Sequence, residues 1–232
     1  MTTLTQAQAD NLYSFQVKDE MVFQASSRNS YLQHLWEYQG AGMQLLDEVI
    51  GDEEVLHLKT NNTALGNALY AFYNPTTKPA WFNGRLLVSK NFVVDTLVKI
   101  PDVTTLGIYH QIQLTNAWTG VPPTNRIILS YHNAVAPTWT FHIDDNTGNV
   151  FSDVTTVPVT TNMTWFRFEA IAGVSISAYQ SPDGATWSLI SQFTTPASFP
   201  TNAMAFMIYQ SITIAGASPA TYIYKVRAIQ DW

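Results

Sequence analysis

The sequence predicts an all-β chain, an antiparallel sandwich or barrel. Three observations carry this. Runs of about five to eight residues with alternating apolar and polar character recur from Gly42 onward. Turn residues such as Gly51-Asp52, Ala172-Gly173 and Ser181-Pro-Asp-Gly184 punctuate them. No helical pattern long enough for a crossover lies between them, so neighbouring runs pair antiparallel.

The elements follow in order. Thr5-Gln-Ala-Gln8 reads as a capping box, with Gln three residues after a capping Thr, and predicts a short helix to about Leu12. Ser30 caps a second short helix over Tyr31 to Trp36. Neither anchors a helical domain, so residues 1–41 read as a mostly irregular arm and residues 42–232 as the sandwich. Met43 to Ile50 and Glu53 to Thr60 form a hairpin over Gly51-Asp52. Asn67 to Tyr73, Gly84 to Ser89 and Asn91 to Ile100 follow, the last alternating Phe92, Val94, Thr96 and Val98. Gly107 to Leu114 puts Ile108, His110, Ile112 and Leu114 on one face. Arg126 to Tyr131 and Thr138 to Ile143 repeat the pattern, and Asn149 to Ser152 resumes after a turn at Asp144 to Gly148. Trp165 to Ile171 and Val174 to Gln180 make a hairpin. Thr186 to Phe193 pairs back, and Ala203 to Ile214 and Thr221 to Ile229 close the chain.

Composition narrows the function. The 232 residues carry 11 Lys and Arg and 17 Asp and Glu, so 12% are charged, about half the roughly 25% usual for a soluble domain. The deficit is regional. Residues 1–102 hold 18 of these charges and the following 130 residues hold 10. Scattered basic residues and a net charge of -6 predict no nucleic-acid partner. The absence of cysteine excludes disulfides, thiolate metal sites and cysteine nucleophiles. Met1 to Asp10 has neither a basic region nor an apolar run, which predicts no secretory leader and a soluble chain. The uncharged stretch from Gly184 to Tyr224 is broken by Pro196, Pro200 and Pro219, so it predicts strands and no membrane partner. The sequons Asn61-Asn-Thr63 and Asn162-Met-Thr164 read as chance occurrences.

Trp165-Phe-Arg-Phe-Glu-Ala-Ile171, Val174 to Tyr179, Ser181-Pro-Asp-Gly184 and Thr186-Trp187 together give a strand, a hairpin and an S-x-DG-x-x-W sequence. With the long strands of Phe92 to Ile143 and the closing Tyr222 to Ile229, this resembles the concanavalin A-like lectin/glucanase superfamily and its laminin-G-like members. The resemblance spans about Gly42 to Trp232. It implies a two-sheet jelly roll with one concave sheet, and it leaves lectin, glycosidase and virion module open. A cysteine-free, Thr- and Asn-rich chain of this size also resembles bacteriophage structural proteins.

Glycosidases of that superfamily carry an E-x-D-x-E strand. None of the six glutamates (20, 37, 48, 53, 54, 169) forms one, and Glu169 shares its strand face with Arg167, so the chain is read as no enzyme. No G-x-S-x-G is present, and the five histidines fall in unrelated segments. His110 reads as a core or cleft residue, whereas His132 and His142 flank neighbouring strands and could approach each other. Asp144, Asp145 and Asn146 offer oxygen ligands to calcium, but their composition equally suits a turn, which is favoured; no metal or other cofactor is expected. The aromatics carry the binding argument. Trp118 and Asn116 sit in a long loop, Trp81 and Asn83 in another turn, and Trp36 and Tyr38 in the irregular arm. Such residues stack on sugar rings or fill subunit contacts. The leading expectation is a virion-surface structural protein, a capsid decoration or tail-associated protein, that forms homo-oligomers and contacts other virion proteins. A lectin-like module for a cell-surface glycan is the alternative, and a glycoside hydrolase the third.

Overall fold

A computed structural model describes residues 37–39, 43–50, 53–60, 67–71, 86, 88–105, 107–115, 125–132, 136–145, 150–197, 199, 204–212 and 220–230. Both expected N-terminal helices lie outside these residues. Among the described residues no helix is long and apolar enough to cross a membrane.

The strands are β1 (Glu37–Gln39), β2 (Met43–Ile50), β3 (Glu53–Thr60), β4 (Asn67–Ala71), β5 (Phe92–Lys99), β6 (Ile108–Thr115) and β7 (Arg126–His132). They continue as β8 (Ala136–Asp144), β9 (Val150–Pro158), β10 (Thr164–Ile171), β11 (Ser175–Ser181), β12 (Ser188–Thr194), β13 (Ala205–Ile212) and β14 (Ala220–Gln230). They form two antiparallel sheets of seven strands. The first runs β1-β4-β13-β6-β7-β8-β9 and the second β12-β11-β10-β5-β14-β3-β2. The chain crosses between sheets after β1, β3, β4, β5, β9, β12 and β13, so sequence-distant strands become neighbours.

The two-residue period decides what lies between the sheets. Ile112 and Leu114 of β6, Ile127, Leu129 and Tyr131 of β7, and Trp139, Phe141 and Ile143 of β8 face inward from the first sheet. Phe92, Val94 and Val98 of β5, Phe166, Phe168 and Ala170 of β10, and Ile176 and Ala178 of β11 answer from the second. Rings tie the layers together. Trp139 meets Phe166 at 4.9 Å between centroids and Phe141 meets Phe193 at 5.4 Å. Each such pair adds about 0.5–1.5 kcal/mol beyond area burial.

Two expectations change. Of the strand expected over Gly84 to Ser89, only Leu86, Val88 and Ser89 lie among the described residues: Leu86 makes a single bridge to Met204, and the chain turns at residues 88–90. Leu86 and Val88 are instead buried in the core. Tyr38, placed by sequence in the irregular arm, lies in β1, which pairs with β4.

Candidate functional site

The second sheet carries its chemistry on the face turned away from the core. In β5 the inward set is Phe92, Val94, Thr96 and Val98, which leaves Asp95, Leu97 and Lys99 outward. Register then builds a row across five strands: Leu189, Tyr179, Arg167, Asp95 and Arg227 are successive cross-strand partners. A bulge between Ile223 and Lys225 adds one residue to β14 and sets Lys225 opposite Leu97 and Arg227 opposite Asp95.

Asp95 is buried, and an unpaired carboxylate there would be costly. Both its oxygens accept from guanidinium groups. Arg167 Nε donates to Oδ1 at 2.6 Å and Arg167 Nη2 to Oδ2 at 2.9 Å, while Arg227 Nη2 reaches the same Oδ2 at 3.2 Å. The two-toothed contact fixes the Arg167 plane. The Trp187 ring lies against that plane, with the guanidinium carbon 4.0 Å from the ring centroid. Tyr179 sits beside Arg167. Burial raises its hydroxyl pKa, the Glu169 charge raises it further, and the hydroxyl bonds with Ser177 and Glu169. Gln192 Nε2 donates to Ser177 Oγ at 2.8 Å. Asp95 and Glu169 are diagonal on adjacent strands, yet both are committed to these partners. A retaining glycosidase instead needs a nucleophile and an acid about 5 Å apart and available to substrate.

The Ser181–Gly184 turn aims Trp187. Ser181 Oγ accepts from Gly184 N at 2.8 Å and donates to Asp183 Oδ1 at 2.8 Å. Asp183 Oδ1 also accepts from the amides of Thr186 and Ala185, each at 2.8 Å. The Thr186 amide, then the Ala185 amide and the Ser181 hydroxyl, hold the Asp183 pKa down at about 2. Gly184 has φ +74, and a Cβ there would lie 3.0 Å from Trp165 Nε1. The S-x-DG-x-x-W pattern thus packs Gly184 against Trp165 and leads directly into Trp187, whose ring lies against Arg167. Gly184→Ala should destabilise the fold by about 1–2 kcal/mol through strain and this contact, measured by urea unfolding.

The first sheet's outward face is mostly neutral. Tyr109 meets His132 edge-on at 5.6 Å and Tyr209 at 5.9 Å, and Gln111 Nε2 donates to the Tyr109 hydroxyl. Ser130 Oγ lies 2.9 Å from His142 Nε2, a pair that fastens β7 to β8. Burial lowers the His142 pKa; Asp144 raises it and Arg126 lowers it further. His132 and His142 do not come together. His142 pairs with Ile128 of β7, and His132 lies four residues further along that strand, about 13 Å away. A cleft at one end of the sandwich, lined by Val98, Ile100, Trp139 and Phe166 among others, has room for about one water molecule. A ligand larger than a water molecule therefore does not fit in this cleft.

Of the site residues expected from sequence, Trp118, Asn116, Trp81, Asn83, Trp36 and Asn146 lie outside the described residues. Tyr38 is placed in β1 only by its backbone register. Asp144 is the ion-pair partner of Arg126, its register neighbour on β7, and Asp145 is buried beside it. Among the described residues no three metal-binding side chains cluster. Sequence reading missed Asp95, Arg227 and Trp187 as a group. One signal was present: a lone Asp in the otherwise apolar run Phe92-Val-Val-Asp-Thr-Leu-Val98 announces a buried charge that needs a partner.

No protein-family model and no curated protein matches the chain. Solved structures do. A Bacteroides ovatus glycoside hydrolase of family GH16, in complex with a G4G4G3G product, superposes with TM-score 0.59 at 10% identity, over 84% of this chain and 94% of that one. Peanut lectin superposes with TM-score 0.55 at 14% identity, over 90% of this chain and 97% of that one. The binding domain of botulinum neurotoxin DC, in complex with SialylT, gives 0.54 at 12% identity over 84% of this chain, which spans only 43% of that one. At these identities the likeness shows the fold alone: an antiparallel two-sheet β-sandwich, consistent with the concanavalin A-like jelly roll.

Proposed function

We propose that this chain is a non-catalytic glycan-recognition module whose ligand lies on the outward face of the second sheet. The observation that carries this reading is the Trp187–Arg167–Asp95 stack. A sugar ring presents an apolar face that packs on an indole, while its hydroxyls need hydrogen-bonding groups close by. Half-buried Trp187 and Tyr179 and exposed Gln192 supply both kinds of contact. Because Arg167 and the preceding turn already hold Trp187, little side-chain freedom is lost on binding. The named neighbours include a lectin and a GH16 glycoside hydrolase, which fits a glycan-binding fold. The carboxylates Asp95 and Glu169 are engaged by neighbouring side chains, which sets glycoside hydrolysis third. Screening the protein against a polysaccharide panel, followed by calorimetry on Trp187→Ala, tests the reading. Affinity should fall at least tenfold, about 1.4 kcal/mol, with the circular dichroism spectrum retained. A folded Trp187→Ala variant with undiminished affinity contradicts it.

A second reading is a virion-surface structural protein, in a capsid decoration or tail-associated role, with residues 1–41 as an arm onto its neighbour. Exposed apolar side chains favour it: Val154 on edge strand β9 is 67% exposed and Leu189 on edge strand β12 is 53% exposed. Edge strands that expose apolar side chains invite pairing with another chain. No comparison bears on a virion role. Light scattering that gives a monomer at every concentration would count against this reading.

A further inference from the structure

Charges are scarce after residue 102, and where they fall is informative. Of the four basic residues in that stretch, Arg126, Arg167, Lys225 and Arg227, three stand outward on the second sheet. Lys99 of β5 joins them, so the centre of this face holds Lys99, Arg167, Lys225 and Arg227 against Asp95 and Glu169. Further out, on β2 and β3, Lys59, Glu48 and Glu53 occupy positions on the same face. The centre is therefore positive in a chain whose net charge is -6. The positive groups also converge: the Nη2 atoms of Arg167 and Arg227 both point at one oxygen, Asp95 Oδ2. Arg167 and Arg227 remain partly exposed, with side chains 17% and 26% accessible.

We propose that this face selects glycans bearing an oxyanion, a uronate carboxylate or a sulfate, and that Arg227 with Lys225 receives that group while the sugar ring packs on Trp187. The proposal rests on the glycan reading above and goes further by naming the ligand class. A guanidinium offers paired N–H donors that match a planar carboxylate or two sulfate oxygens. The surrounding positive charge adds attraction that salt screens.

The experiment is calorimetry with matched probes: oligogalacturonate against the neutral galactose oligomer, and sulfated against desulfated heparan fragments. At least a tenfold preference for an acidic member is expected, shrinking several-fold between 0.05 and 0.5 M NaCl, roughly as the Debye length falls from about 14 to 4 Å. Arg227→Gln should erase the preference, whereas Arg227→Lys should keep most of it. The two acidic arms distinguish carboxylate from sulfate. Equal affinity within each matched pair, or a preference untouched by Arg227→Gln, overturns the proposal and leaves the glycan reading standing. Binding to neither member of any pair overturns both.

Discussion

Asp95→Ala should lower the free energy of unfolding by about 2–3 kcal/mol, one of the two largest single effects this structure implies. The substitution leaves Arg167 and Arg227 without the carboxylate to which both donate. Breaking a fully buried pair costs about 3–5 kcal/mol, but these guanidinium groups stay partly hydrated, which sets the lower range. The loss has a functional side. Without its anchor the Arg167 plane is no longer fixed, and the Trp187 ring resting on it loses its support. Asp95→Asn should fall between wild type and alanine, because an amide can still accept from one guanidinium. Urea unfolding gives the stabilities and near-ultraviolet circular dichroism the tryptophan environment. A stability change below about 0.5 kcal/mol for Asp95→Ala would show that the row contributes little.

The second large effect concerns acid. His110 faces inward from β6 and is fully buried. The Thr221 hydroxyl donates to Gln210 Oε1 at 2.8 Å and lies 3.0 Å from His110 Nδ1. Its one proton being used, it accepts from Nδ1–H, which leaves Nε2 as the basic nitrogen. That atom is buried without a hydrogen-bond partner, and the ring stacks on Tyr131 at 6.3 Å. Burial lowers the His110 pKa to about 4, with the Asp102 charge opposing in part. The unfolded chain binds this proton near pH 6.5 and the folded chain only near pH 4. Stability is therefore complete above pH 6.5 and is lost as pH falls from 6.5 towards 4, by about 3 kcal/mol in all. His142, also lowered by burial, acts in the same direction.

The carboxylates act in a lower window. Partial burial pushes the Asp102 pKa up, but bonds from Thr105 and Thr104 outweigh it and bring the pKa to about 2. Asp183 is likewise held near 2. Both stabilise above pH 3.8 and lose that contribution as pH falls through 2. The interval between 4 and 6.5 thus isolates the histidines. Chemical denaturation across that interval should show the slope, and His110→Leu should remove most of it. A flat profile in the wild-type protein would mean that His110 takes up its proton without disturbing the fold.

The strands were legible because their physics is local. Alternation of Ile108, His110, Ile112 and Leu114, or of Trp139, Phe141 and Ile143, marks a buried face with no knowledge of partners. β9 was read short, at Ser152, because Thr155-Thr156-Val157 follows without clear alternation; the edge strand runs to Pro158, where a missing N–H costs nothing. Leu86 and Val88 looked like a strand because burial and strand share one residue vocabulary. The candidate site was not legible for a different reason. Arg167 is 72 residues from Asp95, and Arg227 is 132 residues from it. Only strand order and register bring them together, and nothing local in the sequence encodes either. The S-x-DG-x-x-W turn was visible, but its consequence, an indole laid on a guanidinium, appears only when β10 and β11 are paired.

The glycan reading stands or falls on where a ligand binds. The most direct measurement is two-dimensional 15N NMR during titration with whichever saccharide binds in the panel. The Trp187 indole resonance and the amides of Arg167, Tyr179, Gln192 and Arg227 should shift together and saturate with one affinity. Shifts confined to Tyr109, Ser130, His132 and His142 on the first sheet, or no shift in the second sheet at saturation, would contradict the account.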